Sequence, residues 1–361
     1  MHRSYTKAGI TLLCIALVLG ALAGCPMNSV TNPTVNTGLY MTDTFSGKVY
    51  TYNPNDHTVS STSFVSTGQN STGAIYFYKG IGYVAVGSGT NTAPGVYYFN
   101  PSDSVPQAVR IGSTNRSAQY IAFYSPTKAY VTMADFVGTP SEQGVYTFNP
   151  SNPSAGLSST PITGTNGSLM FLQQIVVGPD NKVYVANNSA LGGTDQVLQI
   201  DPSFDTLSAT TFTASKGGTT ALVSGAYGGI AGVFVGNSPF SPPGSVDFIN
   251  TTSLTISPVA LLSSIAASRL LYLSSGKLVT TSFTDSYILS DTNGTPSRAP
   301  LGSSLGGADI AAKDGLIYVG YTDYLTSKLY VFDTSGGAES YSPLSVMGTG
   351  ECVAGLAFYH N

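Results

Sequence analysis

Charge is scarce in this chain: of 361 residues only 9% are Lys, Arg, Asp or Glu, against about a quarter in an ordinary soluble domain. The 14 basic and 18 acidic residues leave a net charge of −4, so no basic stripe exists to track a nucleic-acid backbone, and such partners are excluded. Tryptophan is absent, and the three histidines, His2, His57 and His360, lie far apart. They form no cluster for zinc and argue against a Ser-His-Asp relay. The three cysteines, Cys14, Cys25 and Cys352, are too few and too dispersed for a disulfide scaffold. Cys352 sits in an apolar C-terminal run and is expected to be a buried small hydrophobe. Gly-rich phosphate loops with their Lys and Ser or Thr, and complete Asp-x-Asn calcium loops, are also missing. What is abundant is Gly (41), Pro (20) and Tyr (23), with 42% hydrophobic residues in short islands. That composition predicts short strands joined by polar turns and argues against a disordered chain.

The one long apolar run is at the N-terminus. Arg3 and Lys7 precede Ile10 to Leu22, and Leu22-Ala23-Gly24-Cys25 follows, the order of basic region, apolar core and small-residue processing site of a secretory signal. An ordinary signal peptide or an N-terminal transmembrane anchor is the alternative. The tetrad resembles the bacterial lipoprotein signal motif, which implies cleavage before Cys25 and lipid attachment, including palmitate, to its thiol. On that reading residues 1–24 are the signal peptide, 25–37 a lipid-anchored tether rich in Asn, Thr, Pro and Ser, and 38–361 the folded domain. The protein is then exported and held in the cell envelope, periplasmic or on the cell surface, with the membrane as a partner through its lipid. Without Arg3 and Lys7, 12 basic residues face 18 acidic ones, a net −6; a lipid-held domain needs no basic surface.

The pattern Val-Tyr-Thr-Tyr-Asn-Pro at Val49 to Pro54 returns in degraded form at Val96, Val145, Val197, Val246, Ser286 and Leu329, at spacings of 40 to 52 residues. A unit of this length cannot bury its apolar face alone and must pack on its neighbours. Each unit reads as four short strands. Second strands are expected at Leu39 to Met41, Tyr83 to Val86, Ala129 to Val131, Val183 to Ala186, Val233 to Val235, Leu271 to Leu273 and Ile317 to Val319. More apolar first strands are expected at Ile121 to Tyr124, Gln174 to Val177 and Asp309 to Ala312, with weaker ones near Gly228 to Ala231 and Ile265 to Ala267. The first unit lacks a first strand, whereas the last residues, Cys352 to Tyr359, form a first strand with no unit behind it. Donating the orphan to the incomplete unit predicts an all-β, seven-bladed β-propeller of four-stranded antiparallel sheets, its ring closed by the C-terminal strand joining the N-terminal blade.

Tyr130-Val131-Thr132, Tyr184-Val185-Ala186-Asn187 and Tyr318-Val319-Gly320, each followed by a strand such as Val197 to Pro202, resemble the bacterial and archaeal propeller repeats named after a Tyr-Val-Thr-Asn pattern. The resemblance covers about 320 residues; it is weakest in units five and six, where Asp247 and Ser286 stand at strand positions. Enzymes of propeller type carry quinone, lactonase or lyase activity, and the resemblance implies Trp-lined repeats for the quinone class, which this sequence lacks.

Repetition gives Asn53, Asn100, Asn149 and Asp201, each before a proline, a structural role, since their side chains bond nearby backbone and the proline fixes the turn. Tyr50, Tyr52, Tyr97, Tyr98, Tyr146 and Tyr330 are expected to fill the gaps between blades. Function is therefore sought in the residues that differ between copies, on the connections between second and third strands: Asp43, Phe45, Asp135, Phe136, Asn187, Asn237, Asp323 and Tyr324. Such loops open on one face of a propeller. They would suit an envelope protein or a glycan as partner, and calcium is the cofactor that Asp43, Asp135 or Asp323 would take. No residue is assigned a catalytic role, and the expected function is non-catalytic binding or scaffolding; a propeller lyase, lactonase or related hydrolase with a cation in its central face is the alternative. Labelled palmitate should enter the mature chain and be lost in Cys25→Ser; a mature chain retaining residues before Cys25 contradicts the lipoprotein reading.

Overall fold

The computed structural model describes residues 38–87, 93–112, 116–134, 143–163, 171–188, 195–239, 243–282, 284–292, 295–302, 306–322, 326–334, 339–345 and 352–359. Cys25 and the tether lie outside them. Short alternating segments cannot bury both faces within one sheet, so the strands assemble into seven antiparallel blades around an axis. Among the described residues, helix is confined to two short 3₁₀ turns, Pro153–Ala155 and Ala260–Leu262, and no helix is long and apolar enough to cross a membrane.

The closure inferred from the orphan strand is present. Val353–Phe358 is the innermost strand of blade one and pairs antiparallel with Leu39–Asp43, Leu39 opposite Phe358. Lys48–Asn53 follows outward, and the outer edge is split between Thr58–Val59 and Val65–Ser66. The innermost strands of blades two to seven are Thr72–Tyr78, Ala118–Ser125, Leu172–Val177, Thr219–Tyr227, Arg269–Tyr272 and Asp309–Lys313. Blade three forms a three-stranded sheet whose outer edge is made by isolated bridges, Val145 to Ile162 and Phe148 to Leu157.

Three expected strands are misplaced, all in the irregular units. The innermost strand of blade five is Thr219–Tyr227; Gly228 and Gly229 form the turn after it, so Gly228 to Ala231 is not that strand. In blade six Ile265 to Ala267 precedes the innermost strand, and Leu271 belongs to it. The second strand is Lys277–Thr281, beyond a turn closed by Gly276 at φ +81°. An apolar run ending in Ser274-Ser275-Gly276 looks the same on either side of a hairpin, and here only pairing decides the side.

The core lies between blades. Seven apolar clusters, one at each junction, join the facing sheets around the ring. Tyr97 enters the cluster between blades one and two while Tyr98 packs between blades two and three, as alternation requires. Tyr50, Tyr52 and Tyr146 are buried. The repeated turn works locally: Oδ1 of Asn53, Asn100, Asn149, Asp201 and Asn250 accepts the backbone N–H two residues on, at 2.9–3.0 Å. It also works between blades, since the hydroxyl of Tyr83 donates to the carbonyl of Pro150 in the next blade (3.0 Å) and that of Tyr130 to Asp205 (2.5 Å).

At the closing seam, Asp43 is fully buried. Its Oδ1 accepts the N–H groups of Cys352 (2.7 Å) and Phe45 (3.1 Å), and its Oδ2 accepts the N–H of Ser46 (2.9 Å) and the Ser46 hydroxyl. Thr42 Oγ1 donates to Gly73 O (2.6 Å), and Thr72 Oγ1 donates to Asp43 O. Gly355 leaves the room this needs, because a Cβ there would stand 2.6 Å from the Gly73 carbonyl oxygen. Asp43→Ala should cost about 2–4 kcal/mol, the loss of several charge-assisted bonds at a buried carboxylate. Urea unfolding checks this, with Asp103→Ala on an exposed turn shifting the midpoint far less.

Candidate functional site

Innermost strands lie where seven sheets crowd together, and small apolar side chains fit best there. Two charged residues at the heads of these strands break this rule. Arg269 opens the innermost strand of blade six and Asp309 that of blade seven. They meet in a cavity of about 370 Å³ lined by the innermost strands of all seven blades, with Tyr76, Tyr120 and Gln174 among its walls. Arg269 Nε lies 3.6 Å from Asp309 Oδ1, and the two side chains are 26% and 18% exposed. Arg269 Nη1 donates to Ser268 O at 2.8 Å, and the guanidinium sits 5.4 Å from the Tyr120 ring centre, a cation–π arrangement. Asp309 Oδ2 accepts the N–H of Leu356 at 2.8 Å. One carboxylate thus joins blades six, seven and one.

A second cavity of about 310 Å³ shares Arg269. Its walls come from the end of the ring that carries the connections between second and third strands and the crossings between blades. Thr44, Ser71, Thr72, Ser268 and Thr322 line it, beside backbone from Gly307 and from Cys352 to Ala354. The axis therefore has a hydroxyl-rich mouth with an Arg–Asp pair below it. A guanidinium here can take a carboxylate, a phosphate or a hydroxyl oxygen, Asp309 can accept a hydroxyl, and the aromatic rings can pack against an apolar face.

Burial sets the proton affinities of these groups. It lifts the Asp309 carboxyl above the usual carboxylate range, and Arg269 and the Leu356 N–H pull it down without cancelling the rise. Burial likewise pushes the Tyr120 hydroxyl up, opposed by Arg269 and supported by Asp309, and raises that of Tyr76.

The residues expected on the loops divide into three groups. Asp43 lies under the mouth beside Thr44, but both of its oxygens are occupied by the seam, so a cation there would have to break those bonds. Phe45, on the same loop, is 48% exposed. Asn187 and Asn237 are buried inside blades four and five. Asn237 accepts Thr219 Oγ1 (3.1 Å) and donates to Ser245 Oγ (2.9 Å) and Asp247 (3.0 Å). Asp247 also accepts the N–H and hydroxyl of Ser215, which is how blade five tolerates a carboxylate at a strand position. Asp135, Phe136, Asp323 and Tyr324 lie outside the described residues, although Thr322, next to Asp323, lines the mouth. Among the described residues, no group of three His, Cys, Asp or Glu side chains could hold a metal ion.

The spacing of Arg269, Asp309, Tyr76 and Tyr120 in the sequence does not single them out. The legible signal was a charge at the head of an apolar axial strand, as in Asp309-Ile310-Ala311-Ala312. Because the folded protein raises the Asp309 pKa, the folded state binds this proton more readily than the unfolded chain. Its contribution is fully present below the unfolded value, about 4, and is lost as pH rises through the folded value. Wild-type stability relative to Asp309→Asn should therefore fall on raising pH from about 4 and then level off. Melting curves across that range check this, and a relative stability that climbs with pH contradicts the buried-carboxyl account.

Neither a protein-family model nor a curated protein sequence matches the chain. Solved structures do. A proposed 6-phosphogluconolactonase from Bacteroides fragilis superposes with a TM-score of 0.63 at 12% identity, over 91% of this chain and 99% of that one. Its counterpart from Bacteroides uniformis gives 0.61 at 10% identity, over 90% and 100%. A quinoprotein alcohol dehydrogenase-like protein from Bacteroides thetaiotaomicron gives 0.61 at 13% identity, over 90% and 78%. At these identities the likeness is one of fold alone, and it sets the chain's architecture among bacterial β-propellers.

Proposed function

We propose that this is an exported, lipid-anchored propeller of the cell envelope that captures a partner, an envelope protein or a glycan, at the mouth of its axis without turning it over. The observation that carries this reading is the hydroxyl-lined cavity that reaches Arg269, the residue it shares with the axial cavity holding Asp309. It offers a positive donor, a negative acceptor and several neutral hydroxyls on a scaffold whose strands are fixed by their ladders, as a recognition site requires. Phe45 adds an exposed aromatic ring from the loop that begins at Thr44. The slightly acidic balance of the chain makes a nucleic acid an unsuitable partner.

The hydrolase reading, a lactonase or lyase, is favoured by one observation: a carboxyl with raised proton affinity in a cavity, beside a cation, is the form a general acid takes. Calcium in that reading would draw on Asp135 and Asp323 together with other face oxygens, since Asp43 is committed to the seam.

Soluble cell-wall glycan fragments, titrated into the purified mature protein by calorimetry, distinguish the two. Binding by the wild type that weakens at least tenfold in an Arg269→Gln variant whose circular dichroism shows that it is still folded, with no turnover of sugar lactones, is the expected result. If glycan does not bind, co-isolation from envelopes solubilised in mild detergent should yield a stoichiometric protein partner lost in the same variant. Lactone hydrolysis abolished by Asp309→Asn would replace the binding reading with the enzymatic one.

A further inference from the structure

Propeller strands alternate in direction, so each blade presents two kinds of edge. The hairpins joining first to second and third to fourth strands share one face, here the turn face, and the axial mouth opens on the other. Contacts between hairpins bear this out: Ser151 Oγ donates to Pro126 O (2.5 Å) within blade three, Lys128 Nζ to Pro202 O (3.0 Å) in the next blade, and Lys277 Nζ to Thr334 O (2.6 Å) between blades six and seven.

The turn face collects apolar side chains that the fold leaves in water. Among the described residues seven large hydrophobic side chains are exposed. Four of them, Val105, Phe204, Ile230 and Leu254, stand on these hairpins, Phe204 at 77% exposure and Val105 at 69%. Phe204, Ile230 and Leu254 share the neighbouring blades four and five. Leu254 is the most telling. It occupies a left-handed backbone position (φ 55°), equivalent to that of His57 in blade one and Asp205 in blade four. A bulky apolar residue there is unfavourable for both backbone and solvent, so local folding does not account for it.

The same face receives the chain. Leu39 pairs with Phe358 and Tyr52 at the end of blade one that carries the turn after Asn53, so the polypeptide enters the propeller from the turn side. Twelve residues, 26–37, separate Cys25 from Gly38, a reach of at most about 45 Å when fully extended. A tether of that length brings the turn face to a bilayer directly. For the mouth to reach the same bilayer it would first have to run the height of a blade and fold back.

We propose that the turn face docks on the lipid bilayer, with Phe204, Ile230 and Leu254 entering the interface and the axial mouth pointing away from the membrane. This rests on the lipid anchor at Cys25. Charge does not drive the contact: Lys128 is paired with Asp205 (3.0 Å) and Lys182 with Asp201 (2.6 Å) on this face, so a zwitterionic surface suffices and salt has little effect. Apolar tips beside a lipid anchor add buried apolar area to it and fix which way the domain stands on the bilayer.

The absence of tryptophan makes the test direct. Phe204→Trp, Leu254→Trp and, on the opposite face, Phe45→Trp each place a single reporter at an exposed site. The lipidated chain carrying each is reconstituted into phosphatidylcholine vesicles with and without brominated acyl chains, after melting curves show that the fold is kept. Emission from positions 204 and 254 should shift to the blue and fall at least twofold with brominated lipid, while that from 45 is unchanged. Quenching at 45 equal to that at 204, or none at 204 and 254 in a chain whose mass shows lipid on Cys25, overturns the docking and leaves the anchor standing; the second result would assign the tips to a soluble partner. An unmodified Cys25 in protein from native membranes overturns the anchor and the docking together.

Discussion

The seam between the first and last strands carries the rest of the molecule. A ring of sheets has no hub of its own: each blade is buried only by its two neighbours, so one open junction exposes apolar surface on two blades at once. Closure here joins residues more than 300 positions apart, with Cys352 N–H bonded to Asp43 across 309 positions of sequence. The chain end is tied by backbone pairing from Leu39 to Asp43, by a buried carboxylate that spends both oxygens on the joint, and by the close approach of Gly355 to Gly73. Long-range contacts of this kind form at a high entropic cost, which is why a single saturated carboxylate at the last joint carries so much weight.

The seam also fixes where chemistry can occur. The strand that closes blade one supplies the Leu356 N–H to Asp309, and Asp309 faces Arg269 of blade six. The ion pair is thus part of the closure as well as of the axial cavity, and the mouth above it is lined by the residues flanking the joint, Thr44, Thr72 and Cys352. The site and the latch are neighbours because both need the place where the first and last blades meet. Asp43 shows how this misleads a reading by residue type. An acid on a variable loop resembles a ligand, yet its oxygens are saturated by the joint.

Two faces of different character follow from the same alternation of strands. One holds polar hydroxyls around the axial cavity, the other a set of exposed apolar tips on hairpins and the entry point of the chain. Asn and Asp at the start of the repeated turns stabilise those hairpins, and the tyrosines of the second strands dock them onto adjacent blades, as Tyr83 does to Pro150 and Tyr130 to Asp205. The repeat that dominates the sequence is therefore spent on building faces, and the positions that depart from it give each face its character.

The sequence by itself determined the blade count, the strand alternation, the turn chemistry and the closing of the ring by an orphan strand, because each is written in local periodicity or in one missing and one surplus segment. It misplaced the innermost strands of blades five and six, where the repeat is degraded and short apolar runs fit either side of a hairpin. Tertiary structure alone decided that Asp43 is a latch, that Asn237 and Asp247 satisfy one another inside blade five, and that Arg269 and Asp309, 40 positions apart, meet on the axis. The physical reason is the same in each case. Periodicity reports the environment a segment needs, whereas the partner of a buried polar group is set by which blades the closed ring brings together.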